Sequence, residues 1–119
     1  MIDVNALAYA TLNGMPLAPA VPVFFEEADG LPDEYIVFDR IYGDDRNHAD
    51  NKPLHEYVLM RVDYYGKNKA RRQVAMTAIK AAMTAAGFFT QAHNINIPRE
   101  AGAAYWGAYS EFSYWAVIS

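Results

Sequence analysis

The sequence predicts an α+β fold in which a mainly antiparallel sheet of about five strands is packed by two helices. Apolar residues alternate with a period of two in several runs that polar turns connect, which indicates strands. Two segments have instead the spacing of an amphipathic helix. With 119 residues, of which 53% are hydrophobic, the chain is expected to form a single domain over residues 1–119.

The N-terminal part is predicted to hold one short helix and one short strand. Ile2, Leu7 and either Thr11 or Leu12 recur at roughly helical spacing, and the helix should end at Gly14. The prolines that follow impose an extended connector, because proline lacks the N–H group and restricts its predecessor. The run VFFEE, residues 23–27, has β propensity, and the turn residues after it predict a hairpin into the next strand.

Two further strands flank a polar segment in the middle of the chain. They are EYIVFDRIY, residues 34–42, and LHEYVLMRVDYYGK, residues 54–67. In the second strand the alternation places four apolar side chains on one face, Val58, Met60, Val62 and Tyr64. The opposite face carries Tyr57, Leu59, Arg61 and Asp63. The first face is predicted to enter the core, whereas the second is semi-polar and suits contact with a partner.

The second half begins with the strongest helix signal. Asn68 is a predicted N-cap and Gly87 a predicted C′ residue, and a stripe of alanine, isoleucine and methionine lies between them. A strand over 88–97 and a loop over 98–104 should follow. The chain then ends in an aromatic strand over 105–118, which is apolar on both faces. Such a strand is either central in the sheet or buried against another protomer.

Composition excludes several classes of function. The formal net charge is −4, with 14 acidic and 10 basic residues, so the basic character typical of a nucleic-acid binder is missing over the chain as a whole. The sequence contains no cysteine, which excludes thiolate nucleophiles, disulfides and cysteine zinc sites. The N-terminus lacks a basic signal region and no apolar run approaches membrane-spanning length, so an uncleaved chain outside the membrane is expected.

The polar segment 43–56 is the strongest candidate for chemistry, because it is rich in aspartate and histidine. Read as an EF-hand loop it places Glu56 correctly at the last position, but Asp50 stands where glycine is needed. His48 and His55 are seven residues apart and match no HExxH or similar zinc motif. A solvated loop between two strands is therefore favoured. A small metal- or ligand-binding protein or enzyme that uses this loop stays open as an alternative.

Other site motifs are weak. The sequence contains no nucleophile elbow, no phosphate-binding P-loop and no dinucleotide fingerprint, so no catalytic residue and no cofactor is assigned and the chain is not expected to be an enzyme. The basic run Lys67–Arg72 at the predicted start of the helix could contact phosphates. A solvated first helical turn is the more ordinary interpretation of that run, and a regulatory module that binds nucleic acid is a third hypothesis.

Three segments together resemble a known family. They are EYIVFDRIY after a Pro-rich connector, the strand YVLMRVDYYGK leading directly into the helix QVAMTAIKAAMTAAGF, and the closing strand EFSYWAV. Over about residues 20–118 this pattern is similar to the tail terminator, or tail-completion, proteins of long-tailed bacteriophages. That family has no catalytic residues or cofactors to carry over.

The resemblance implies a small α+β subunit that assembles with itself, commonly as a hexameric ring. Such a ring caps the finished tail tube and joins it to the head connector, so tail tube protein and connector protein are the implied partners. DNA only passes through the lumen, no membrane is involved, and the protein lies in the virion tail or neck after synthesis in the bacterial cytoplasm.

A closed ring needs two different patches on each subunit. The predicted interface residues are Arg61, Asp63, Tyr65, Tyr105, Tyr109 and Trp115. The polar segment 43–53 is the predicted assembly loop, with candidates Asp44, Asp45, Arg46, His48, Asp50 and Lys52. Contact or repulsion during assembly is the role expected of this loop.

Overall fold

The computed structural model describes residues 3–17, 20–28, 30, 32–49, 52–99 and 101–117. Within them it contains two helices and a five-stranded sheet, so the predicted α+β class is confirmed. In chain order the elements are α1 (Val4–Asn13), β1 (Val23–Phe25), β2 (Glu34–Ala49), β3 (Lys52–Gly66), α2 (Lys69–Ala85), β4 (Phe89–Ile97) and β5 (Trp106–Val117). Over the described ranges, neither helix is long and apolar enough to span a membrane.

The ends of the helices agree with the sequence signals. The side chain of Asn68 accepts a hydrogen bond from the Ala70 N–H at 3.0 Å and caps the start of α2. At its other end Gly87 has a φ of 101°, and the N–H groups of Gly87 and Phe88 donate back to carbonyls of the last turn. These bonds form a Schellman motif, which ends the helix and turns the chain toward β4.

The strands lie in the order β1-β2-β3-β5-β4, and all neighbours except the first pair are antiparallel. Strand β5 therefore lies inside the sheet, between β3 and β4. A central position is one of the two explanations that the sequence offered for its apolar faces. Both helices pack on one face of this sheet, where β3 contributes the buried residues Val58, Met60, Val62 and Tyr64, as predicted.

The prediction of a hairpin between β1 and β2 is wrong, because these two strands are parallel. Val23 lies opposite Ile36 and Phe25 opposite Phe38. The ladder is extended by the hydrogen bond from the Ile36 N–H to the Pro22 carbonyl at 2.8 Å. Turn residues indicate that the chain reverses, but they do not show whether the segment after the turn pairs as a strand or only brings the chain back. Since β1 is so short, residues 26–33 suffice to carry the chain back to the start of β2.

The prediction of a polar loop over 43–53 is also wrong for the described backbone, which is paired strand up to Ala49 and again from Lys52. A register shift between Arg40 and Tyr42 marks a bulge, beyond which the β2–β3 ladder continues. Asp and Asn are unfavourable in strands on average, but each added pair here extends a ladder that is already formed. Past the pair Arg46 and His55, the described strands pair only with each other and form a two-stranded arm.

Candidate functional site

The sheet face opposite the helices has no covering element in the part of the chain that the structure describes. We call it the open face. Its centre comes from alternate residues of β3 and β5, namely Tyr57, Arg61, Asp63, Tyr65, Tyr109 and Trp115. Glu111 on β5, opposite Arg61, also belongs to this centre, and the margins include Tyr35 and Asp39 on β2 and Phe89 and Ile95 on β4. Tyr105, just before β5, packs against the edge of this surface.

Arg61 lies at the middle of the open face and has contacts on two strands. Its Nε and Nη2 donate to the two carboxylate oxygens of Asp63 at 2.6 and 3.1 Å. Its Cζ lies 3.9 Å from the centroid of the Tyr109 ring. The strand register also places Asp39 and Glu111 on either side of it. The hydrogen bonds to Asp63 raise the pKa of the Arg61 guanidinium, so this polar centre combines one fixed cation with three carboxylates.

A cluster of three tyrosines lies at one end of the open face. Tyr35 and Tyr65 are stacked, with ring centroids 5.2 Å apart, and Tyr105 meets Tyr35 edge-on at 5.7 Å. The Tyr105 hydroxyl donates to the Pro32 carbonyl at 2.8 Å and ties β5 to the segment before β2. Burial raises the pKa of Tyr65 to about 12, with a further contribution from Asp63. The cluster is therefore a half-buried aromatic surface.

The other end of the open face is aromatic and more exposed. Tyr57 packs on Trp115 with ring centroids 5.1 Å apart, and Trp115 is 40% exposed. Phe89 on the edge strand β4 is 62% exposed, the largest value among the exposed large apolar residues of the described chain. Ile95, also exposed, is on the same strand but lies opposite Tyr109, nearer the centre of the open face. Exposed aromatic and aliphatic side chains that share one sheet face are typical of a surface that contacts another protein.

The structure brings the six predicted interface residues onto this one face. Four of them are linked by three direct contacts: Arg61 bonds Asp63 and lies over the Tyr109 ring, and the Tyr65 hydroxyl bonds Asp63. The side chains of the assembly candidates Asp44, Asp45, Arg46, His48 and Lys52 are outside the described part of the structure, and Asp50 lies outside the described residues altogether. Their backbone, apart from Asp50, belongs to the arm of β2 and β3 and not to a loop.

Sequence reasoning missed several members of the open face. Tyr35 and Asp39 alternate with the buried Ile36 and Phe38, so the period of two in β2 contained the signal. Phe89 carried no such signal, because its exposure depends on β4 being an edge strand. Among the described residues, no group of three or more histidine, aspartate or glutamate side chains is placed to hold a metal ion.

No model of a protein family matches the sequence, and no curated protein is significantly similar to it.

Proposed function

We propose that this chain is a structural virion protein of a long-tailed bacteriophage, a tail terminator that caps the tail tube and joins it to the head connector as a homo-oligomeric ring. The observation that carries the proposal is the open face, where aromatic side chains surround a fixed Arg61. Such a surface matches the composition of protein interfaces, which are enriched in tyrosine, tryptophan and arginine. In this proposal the chain has no catalytic residue and needs no cofactor.

A closed ring requires two different patches on each subunit, and in this proposal two surfaces of the chain take these roles. One is the open face. The other is the arm formed by β2 and β3, which extends the chain along the strand direction. The molecule measures 56 × 28 × 24 Å, and its Cα radius of gyration of 15.4 Å exceeds the roughly 13.5 Å expected for a compact domain of this length. We propose that the arm of one subunit reaches the next subunit, and that the open face packs against a neighbour.

Native mass spectrometry and light scattering test the ring directly. The chain should form a closed oligomer, with six copies as the number that the family resemblance implies, either alone at high concentration or on purified tail tubes. A chain that stays monomeric in both conditions would contradict the proposal. A gene neighbourhood without a portal, head-tail adaptors or a major tail protein would contradict the phage assignment separately.

A matched pair of variants tests whether the open face is the contact surface. Phe89→Asp places a charge on that face, at a side chain that is already 62% exposed and therefore matters little to the core. Val74→Asp makes the same chemical change on the outer surface of α2, where the side chain is 53% exposed. Phe89→Asp should abolish the oligomer and Val74→Asp should leave it intact. Equal behaviour of the two variants would overturn the assignment of this face.

A further inference from the structure

Trp106, the first residue of β5, lies close to three cations that come from two separate segments of the chain. The Lys69 Nζ lies 4.8 Å from the indole ring centroid, the Arg72 Cζ 5.6 Å and the Arg99 Cζ 4.0 Å. Lys69 and Arg72 come from the first turns of α2, and Arg99 from the segment between β4 and β5. All three charged groups therefore lie within 5.6 Å of the centroid of the Trp106 ring.

The basic run at the start of α2 divides into paired and unpaired cations. Lys67 forms an ion pair with Asp33 at 3.0 Å, and Arg71 one with Glu34 at 2.9 Å. Lys69 and Arg72, which alternate with them in this run, have no ion pair within the described residues.

Arg99 also lacks an ion pair across the described ranges. Its guanidinium donates to the backbone carbonyls of Ala103 and Tyr105. Those carbonyls orient the side chain without neutralising it, because they carry no net charge.

An indole ring holds cations differently from a carboxylate. The negative face of the ring attracts a cation, but the ring has no net charge, so each cation keeps its full charge. Three like charges close together repel one another, and the positive end of the α2 dipole adds to that repulsion. A bound anion would relieve both costs. Two of the three groups are guanidinium groups, whose donor geometry matches the oxygens of a phosphate.

We propose that Lys69, Arg72 and Arg99, gathered on Trp106, form a contact site for the phosphate backbone of nucleic acid. A nucleic acid fits better than an acidic protein segment, because duplex DNA offers about one charge per 1.7 Å of its axis and needs no matching arrangement of side chains. The chain has a net charge of −4, so contact is restricted to this cluster and is weak and sensitive to salt. The inference does not depend on ring formation.

Fluorescence anisotropy with a short labelled DNA duplex measures this contact as a function of salt. If the three cations neutralise three phosphates, raising monovalent salt from about 50 to about 200 mM should weaken binding about 40-fold. Lys69→Gln, Arg72→Gln and Arg99→Gln should each reduce the slope of log affinity against log salt by about 0.9. Lys80→Gln is the matched control, since it removes one exposed cation from the same helix away from Trp106, and it should leave the slope unchanged.

Four results would overturn the inference. The first is no salt-dependent binding by the unmodified chain at about 50 mM salt, and the second is an unchanged slope of log affinity against log salt in Lys69→Gln and Arg72→Gln. The third is an equal reduction of that slope in Lys80→Gln. The fourth is tighter binding of poly-glutamate than of DNA at equal charge concentration. The last result would identify an acidic protein as the partner. Repeating the titration with Phe89→Asp, the variant expected to be monomeric, separates DNA contact from assembly, because either can then fail alone.

Discussion

The guanidinium of Arg61 lies over the ring of Tyr109 on the neighbouring strand, with the Arg61 Cζ 3.9 Å from the ring centroid. The same guanidinium is held by two hydrogen bonds to Asp63, two residues along β3. Contacts from two strands therefore fix a long, polar side chain flat on the sheet. A side chain ordered before binding loses less conformational entropy on association, which makes this pair suitable for the centre of an interface.

Replacing Arg61 should weaken assembly far more than it weakens the fold. Arg61→Met keeps much of the side-chain length but leaves Asp63 without its ion-pair partner and removes the positive charge between Asp39 and Glu111. Self-association should weaken at least about tenfold, equivalent to about 1.4 kcal/mol. The free energy of unfolding should change by less than about 1 kcal/mol, because a partly exposed ion pair contributes little to stability.

Analytical ultracentrifugation and urea denaturation measure these two effects separately. Lys80→Met is the matched control, because it removes a cation from the helical side of the molecule. A role for Arg61 in the interface would be contradicted if self-association were unchanged in Arg61→Met, or if it weakened equally in Arg61→Met and Lys80→Met.

Gly107 supports the tyrosine cluster by having no side chain. A β-carbon at this position would lie 2.9 Å from Cε1 and 3.0 Å from Cδ1 of Tyr65, and 3.2 Å from Cδ1 of Ile97. Gly107→Ala should therefore displace the Tyr65 ring from its stack with Tyr35 and cost about 1–3 kcal/mol of unfolding free energy. Urea denaturation of Gly107→Ala, Tyr65→Ala and the double variant forms a mutant cycle. If Gly107→Ala costs as much without the Tyr65 ring as with it, this explanation is wrong.

Local patterns predicted the parts of the fold that depend on local physics. The alternation through Val58 and Tyr64 identified the core face of β3, and Asn68 and Gly87 marked both ends of α2. Each of these signals depends on interactions within a few residues of the chain. The same alternation in β3 and β5 is why the six interface candidates fall on one face.

Two of the misses concern relations between distant segments. The parallel pairing of Val23 with Ile36 depends on which edge of the β2–β3 hairpin is free. The approach of Arg99 to Lys69 depends on β5 lying between β3 and β4, which places the segment before β5 beside the start of α2. Neither relation has a counterpart in the spacing of residues along the sequence.

The Tyr64 hydroxyl donates to Glu34, which also accepts a hydrogen bond from the Arg71 Nε at 2.9 Å. Burial and the bond to Glu34 raise the pKa of Tyr64. Tyr64→Phe removes the buried donor and should cost about 1–2 kcal/mol of unfolding free energy in urea denaturation. Tyr65→Phe is the comparison, because it also removes one tyrosine hydroxyl. That hydroxyl bonds Asp63 at 3.3 Å, and Asp63 stays paired with Arg61 when the hydroxyl is lost. A cost for Tyr65→Phe equal to that for Tyr64→Phe would show that the network at Glu34 is not the cause.

His93 on β4 should make the fold less stable in mildly acidic solution. Its Nδ1 lies 3.3 Å from the Oγ of the buried Ser110, and burial, with a further effect of Lys80, lowers the pKa of His93 below 6.5. Because the folded state favours the neutral ring, the unfolded state binds the proton first as the pH falls. The contribution of His93 to stability is therefore complete above about pH 6.5 and is lost as the pH falls through the folded pKa.

Lys80→Gln provides the sharper test of this coupling, because it removes one of the two causes of the shift without touching His93. NMR titration should show a higher pKa of His93 in Lys80→Gln than in the unmodified chain. The loss of unfolding free energy between about pH 7.5 and about pH 5.5 should be smaller in that variant. His93→Gln should remove the contribution of His93 to the pH dependence of stability. Only the unfolding free energy that is lost through protonation of carboxyl groups should then remain. A pKa of His93 that does not change in Lys80→Gln would leave burial as its cause and contradict the predicted coupling.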